Sequence, residues 1–142
     1  MLNLEIGTLT LRITALDTSE DESDPYQWIE TYIEYRVPSV NVEYSMLFTK
    51  DEIEELYGDL KCFFQSLKNQ ETVDQVSFTP LEKFLSMDFR QVGHRDIAEC
   101  RITLRPEANA DSLTVTDTFY LDQSYFDSVL SGLKAIANFP SM

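Results

Sequence analysis

In only two stretches of this chain do apolar residues recur every three to four positions; almost everywhere else they recur every second position. In the first stretch Ile53, Leu56, Tyr57, Leu60, Phe63, Phe64 and Leu67 make a wide stripe carried to about residue 69. Thr49 followed by Glu52 is a capping-box arrangement, which starts the helix there. In the second stretch Phe126, Val129, Leu130, Leu133, Ile136 and Ala137 repeat the pattern, with Asp122 or Ser124 as the cap and Pro140 as the stop. Two helices set among strands give an α+β fold.

The strands follow from the two-residue period. Leu2, Leu4 and Ile6 hold one phase and Leu9, Leu11, Ile13 and Ala15 the other, with Gly7-Thr8 at the change, which reads as one strand with a bulge or sharp bend. Ile29, Ile33, Tyr35 and Val37 share a face, and Val40, Val42, Tyr44, Met46 and Phe48 share the next, joined as a hairpin through Pro38-Ser39. After the first helix come Val76 and Phe78, then Leu85, Met87 and Phe89, then Cys100, Ile102 and Leu104, then Leu113, Val115, Phe119 and Leu121. These predict a meander of four antiparallel strands. The order is βββαββββα, and the expected architecture is a single antiparallel sheet of six to seven strands with both helices packed on one face. We expect residues 1–142 to form one domain, since a chain of 142 residues buries roughly two-thirds of its unfolded surface without a disulfide or metal.

Charge narrows the partners. With 25 acids against 11 bases the net charge is -14, which repels nucleic acid and anionic membranes and attracts basic surfaces. The first residues, MLNLEIGTLTLRITALD, carry neither a basic flank nor a continuous apolar run, so no signal peptide or membrane span is expected and the cytoplasm is the default location. Cys62 and Cys100 lack metal or redox spacing and read as two buried reduced thiols.

The residues carry no recognisable catalytic or cofactor chemistry. A calcium loop would place Asp17, Ser19 and Asp21 at its first three ligands, but Glu22 stands where the loop needs glycine and Trp28 where it needs a bidentate Glu. His94, the only histidine, sits in a predicted turn, far along a hairpin strand from Cys100. No glycine-rich phosphate loop occurs. The chain reads as a non-enzyme with no metal and no cofactor.

What stands out is TSEDESDPYQW at residues 18–28, with Glu20, Asp21, Glu22 and Asp24 leading into aromatics. Density of Ser, Asp and Glu makes it a solvated loop. Beyond it Tyr26, Trp28, Glu30, Tyr32 and Glu34 point away from the helices, beside Asn41, Glu43, Ser45 and Leu47 of the next strand. Residues 17–34 hold seven acids and no base, whereas residues 83–105 hold five bases against three acids. An aromatic surface ringed by carboxylates suits a basic protein partner, through Glu20, Asp21, Glu22, Asp24, Tyr26, Trp28, Glu30, Tyr32, Glu34 and Glu43. The competing reading is that Trp28 and Tyr32 simply cover the open sheet face by cross-strand packing.

Four stretches taken in order, DPYQWIETYIEY, LFTKDEIEELYGDLKCFF, VSFTPLEKFLSMDF and FYLDQSYFDSVLSGLKAIANFP, resemble the WapI-like immunity protein family. The resemblance implies a small cytoplasmic protein that binds and occludes the toxic tip of a contact-dependent bacterial toxin, often a nuclease with a basic groove. It implies binding and not catalysis; a monomer or weak homodimer is expected. Two other readings stand beside it: an acidic accessory or scaffold protein with another partner, and a small-ligand cleft using carboxylates such as Glu82 and Asp88.

Overall fold

The computed structural model of the chain describes residues 1–19, 24–93, 95–107 and 111–139. The sequence-based expectations for His94 as an exposed turn residue and for Pro140 as the helix stop fall outside these residues. The elements are β1 (Leu2–Ile6), β2 (Leu9–Ser19), β3 (Trp28–Val37), β4 (Val40–Thr49), α1 (Lys50–Lys68), β5 (Val76–Phe78), β6 (Leu85–Gln91), β7 (Ala98–Leu104), β8 (Val115–Leu121) and α2 (Gln123–Ala137).

These strands form two four-stranded antiparallel sheets, ordered β1-β2-β3-β4 and β5-β6-β7-β8, and this corrects the expectation of a single sheet of six to seven strands. Two physical reasons account for the difference. Alternation along a strand reports which face is buried and not which strand lies alongside, so it is silent on where one sheet ends. The 19 residues of α1, about 28 Å long, then carry the chain away from β4 before β5 begins.

The extra strand comes from the first segment, which is a hairpin and not one bent strand. Ile6 pairs with Leu9 across the two-residue turn Gly7-Thr8, and Gly7 takes a left-handed φ of 59° that glycine adopts at no steric cost. A two-residue turn shifts the apolar phase by one position, as a bulge does, so the two share one sequence signature.

Helix α1 starts where the capping box predicts. The Glu52 N–H donates to Thr49 Oγ1 at 3.1 Å and the Thr49 N–H donates to Glu52 Oε1 at 2.7 Å. Asp122 caps α2, accepting from the Ser124 N–H at 2.9 Å. The two helices meet through Phe64 and Phe126, stacked with ring centroids 4.1 Å apart, and such a pair contributes about 0.5–1.5 kcal/mol beyond its buried area.

The inner faces of both sheets and the stripes of both helices share one core. Leu4 and Ile13, Leu60, Phe89 and Phe119, and Leu133 converge on one void of only about 20 Å³. Each sheet is buried on that side alone, which is why its strands alternate. At Gly132 helix α2 approaches β1 so closely that a Cβ there would lie 2.6 Å from the Leu2 Cα. Polar links also cross between the sheets. The Tyr35 hydroxyl donates to the Asp117 carboxylate, and the Tyr44 hydroxyl donates to the Phe84 carbonyl at 2.6 Å.

Candidate functional site

The outward face of the first sheet is laid out by register. Trp28 lies opposite Thr49 and Ser19, Glu30 opposite Leu47 and Asp17, Tyr32 opposite Ser45 and Thr14, and Glu34 opposite Glu43 and Arg12. The inward positions Ile29, Thr31, Ile33 and Tyr35 are buried, so the face carrying Trp28, Glu30, Tyr32 and Glu34 is the one left to solvent, as the alternation predicts.

Trp28 is half-buried and held in place. Its indole N–H donates to Asp24 Oδ2 at 2.9 Å, while Asp24 Oδ1 accepts from the Tyr26 N–H at 2.9 Å. The Tyr26 and Trp28 rings meet edge to face with centroids 5.8 Å apart. Both oxygens of Asp24 are thus engaged in positioning these two aromatics. Indole and phenol rings fixed at a solvent boundary offer large contact area with little rotamer entropy left to lose on binding.

Two carboxylates of the predicted set are ion-paired with arginines of the same sheet, one of which, Arg12, also lies 3.5 Å from Glu5. Glu34 Oε2 lies 3.6 Å from Arg12 Nη1, and Glu43 Oε1 lies 3.4 Å from Arg36 Nη2. The Tyr32 hydroxyl donates to Glu43 Oε2 at 2.9 Å, and that hydrogen bond to a carboxylate pushes the Tyr32 phenol above its usual pKa. Neither arginine was part of the sequence-level site, because recognising them requires the cross-strand register.

The other end of the face keeps its charge. A β-bulge between Ala15 and Asp17 puts Asp17 directly opposite Glu30 and leaves Leu16 exposed. Among the described residues neither of these two carboxylates forms an ion pair. With Thr18, Ser19, Trp28 and Leu47 they line a shallow depression of about 280 Å³. Asp17 is a residue the sequence reading counted as charge but did not place in the site. The break in alternation at Ala15-Leu16-Asp17 is the signal that marks it.

The structure therefore brings together Asp24, Tyr26, Trp28 and Glu30 at one end of the face and Tyr32, Glu34 and Glu43 at the other. Glu20, Asp21 and Glu22 lie outside the described residues. The other carboxylates considered, Glu82 and Asp88, share no described cavity. Glu82 Oε2 accepts from the Leu47 N–H at 3.3 Å, and Asp88 faces Arg101 across the second sheet. Among the described residues no group of three or more His, Cys, Asp or Glu side chains is arranged to hold a metal ion, and no helix is long and apolar enough to cross a membrane.

Comparison with known proteins adds a family. The sequence model of the immunity protein WapI-like family matches residues 1–140. No curated protein matches the chain. Among solved structures, the crystal structure of WHY1 from Arabidopsis thaliana is similar with a TM-score of 0.50 at 9% identity, covering 96% of this chain and 87% of that one. The structure of the plant transcriptional regulator PBF-2 gives 0.49 at 9% identity over the same shares. At such identity the first likeness is one of fold alone.

Proposed function

This chain belongs to the immunity protein WapI-like family, and on that premise we propose that it neutralises a basic toxin domain, a nuclease among the candidates, by direct non-catalytic binding through the outward face of its first sheet. The observation that carries the choice of face is the pairing of a fixed aromatic anchor with unpaired charge. Trp28 is held by Asp24 at 2.9 Å, next to the facing carboxylates of Asp17 and Glu30. A lysine or arginine of the partner entering that depression meets the two acids and packs against the indole, gaining a cation–π contact of about 0.5–2 kcal/mol. The net charge of -14 steers a basic partner toward the molecule from a distance.

This reading divides the predicted residues by role. Tyr26, Trp28 and Glu30 make contact, Asp24 positions the aromatics, and Glu34 and Glu43 already have intramolecular cations to exchange. The test is association with the cognate toxin domain, followed by surface plasmon resonance at low and physiological salt. Glu30→Lys is expected to lower the association rate about tenfold at low salt, and Trp28→Ala to speed dissociation by a hot-spot amount, about 2 kcal/mol. Toxin binding that neither substitution changes refutes this face. A native chain that binds no toxin encoded beside it refutes the function itself.

A further inference from the structure

A second recess lies away from the acidic face. The segment between β5 and β6, the start of β6 and the residue after β7 surround a cavity of about 470 Å³ lined by Pro80, Leu81, Lys83, Leu85, Ser86 and Arg105, together with Thr79. Its accessible apolar side chain is Leu81, 57% exposed, while Leu85 and Pro80 behind it are buried. Lys83 and Arg105 are both exposed at the cavity, and among the described residues neither forms an ion pair.

The walls are fixed by carboxylates that act elsewhere. Glu52 Oε2 accepts from the Leu81 N–H at 2.6 Å and Glu82 Oε2 from the Leu47 N–H at 3.3 Å. The Arg105 N–H donates to the Phe84 carbonyl at 2.8 Å. The segment is thereby tied to α1, β4 and β7, and none of the residues lining the recess is acidic. On a chain of net charge -14, a recess with two free cations and no acid runs against the charge of the whole molecule.

We propose that this recess binds a small amphipathic oxyanion, with a carboxylate or phosphate head between Lys83 and Arg105 and a short aliphatic chain on Leu81. Ammonium and guanidinium groups supply charge-assisted hydrogen bonds to such a head. The exposed Leu81 side chain supplies the apolar contact that distinguishes the ligand from a simple ion. The volume falls within the range of small-molecule sites.

Amide NMR titration of the full chain with hexanoate, hexyl phosphate, hexanol, acetate and inorganic phosphate tests this. Saturable shifts from hexanoate or hexyl phosphate, confined to the amides of residues 81–86 and Arg105, are expected, and the tighter of the two identifies the head group. Lys83→Ala and Arg105→Ala should each weaken binding about tenfold. Leu81→Ser should weaken it as well, with the rest of the amide spectrum preserved. Hexanol binding as tightly as hexanoate, acetate or inorganic phosphate binding as tightly as the six-carbon ligands, or shifts indifferent to all three substitutions would each overturn the proposal.

Discussion

Raising the pH through the range where thiols and phenols ionise should unfold this protein steeply, because three such groups are sealed in its core. Tyr35 is 1% exposed, Tyr44 9% and Cys100 0%, whereas Cys62, expected from the sequence to be buried too, is exposed on α1. Burial is the main cause that raises the pKa values of the three buried groups; the Asp117 carboxylate adds to it at Tyr35, as do Asp88 and Glu99 at Cys100. All three therefore keep their protons in the folded state above the pH at which the unfolded chain releases them, about 8.5 for Cys and about 10 for Tyr. There the unfolded state binds fewer protons than the native one, so stability falls as pH rises, by about 1.4 kcal/mol per pH unit for each group. Stability should be flat with respect to these groups below pH about 8, lose about 1.4 kcal/mol per unit once Cys100 contributes, and lose about 4 kcal/mol per unit beyond pH about 10.5. Against a typical total of about 5–15 kcal/mol, that unfolds the chain within a few pH units. Urea unfolding at pH 7.5, 9.5, 10.5 and 11.5, followed by circular dichroism, measures the slope. In a Tyr35→Phe, Cys100→Ala double variant only Tyr44 remains of the three, and the steep limb should fall to about 1.4 kcal/mol per unit. Equal slopes in the native chain and the double variant would refute the reasoning, since lysine titration and general repulsion are common to both.

Two further substitutions test how the elements are joined. Glu52→Ala removes the reciprocal half of the α1 cap and the tether to the Leu81 N–H, and should cost about 2–3 kcal/mol, seen as a fall in Tm of about 5–10 °C; a fall below about 2 °C would mean that the tether contributes nothing. Gly132→Ala places a methyl 2.6 Å from the Leu2 Cα, a backbone atom that cannot rotate away, and should cost about 1–3 kcal/mol in urea unfolding; an unchanged midpoint would contradict the close approach of α2 and β1.

Much of the architecture was legible because it is local. The capping box at Thr49 and Glu52 needs only four residues, and the stripe from Ile53 to Leu67 needs only the helical period. The outward set Trp28, Glu30, Tyr32 and Glu34 needs only alternation. What was not legible depends on partners distant in sequence. Whether Gly7-Thr8 bends one strand or joins two depends on whether Leu4 finds Leu11 across the turn. The number of sheets depends on β5 pairing with β6 and with nothing in the first sheet. The site was blurred for the same reason. Counting seven acids and no base over residues 17–34 made the whole face look equally negative, yet Arg12 and Arg36 arrive from outside that window and form ion pairs with Glu34 and Glu43 at one end of it.

In the proposed complex that pairing would separate two contributions to binding that a uniform acidic patch would merge. Long-range steering depends on the total charge of -14 and is screened beyond about 8 Å at physiological salt. Under the proposed docking, contact at the depression lined by Glu30, Asp17 and the indole of Trp28 would act at distances where screening is weaker. Raising the salt from low to about 1 M should therefore bring the association rates of the native chain and Glu30→Lys together, whereas the faster dissociation of Trp28→Ala should persist, because burial of an aromatic anchor is not an ionic term. If the Trp28→Ala effect disappears with salt as well, the indole acts only by shaping the field, and the anchor role assigned to it is wrong.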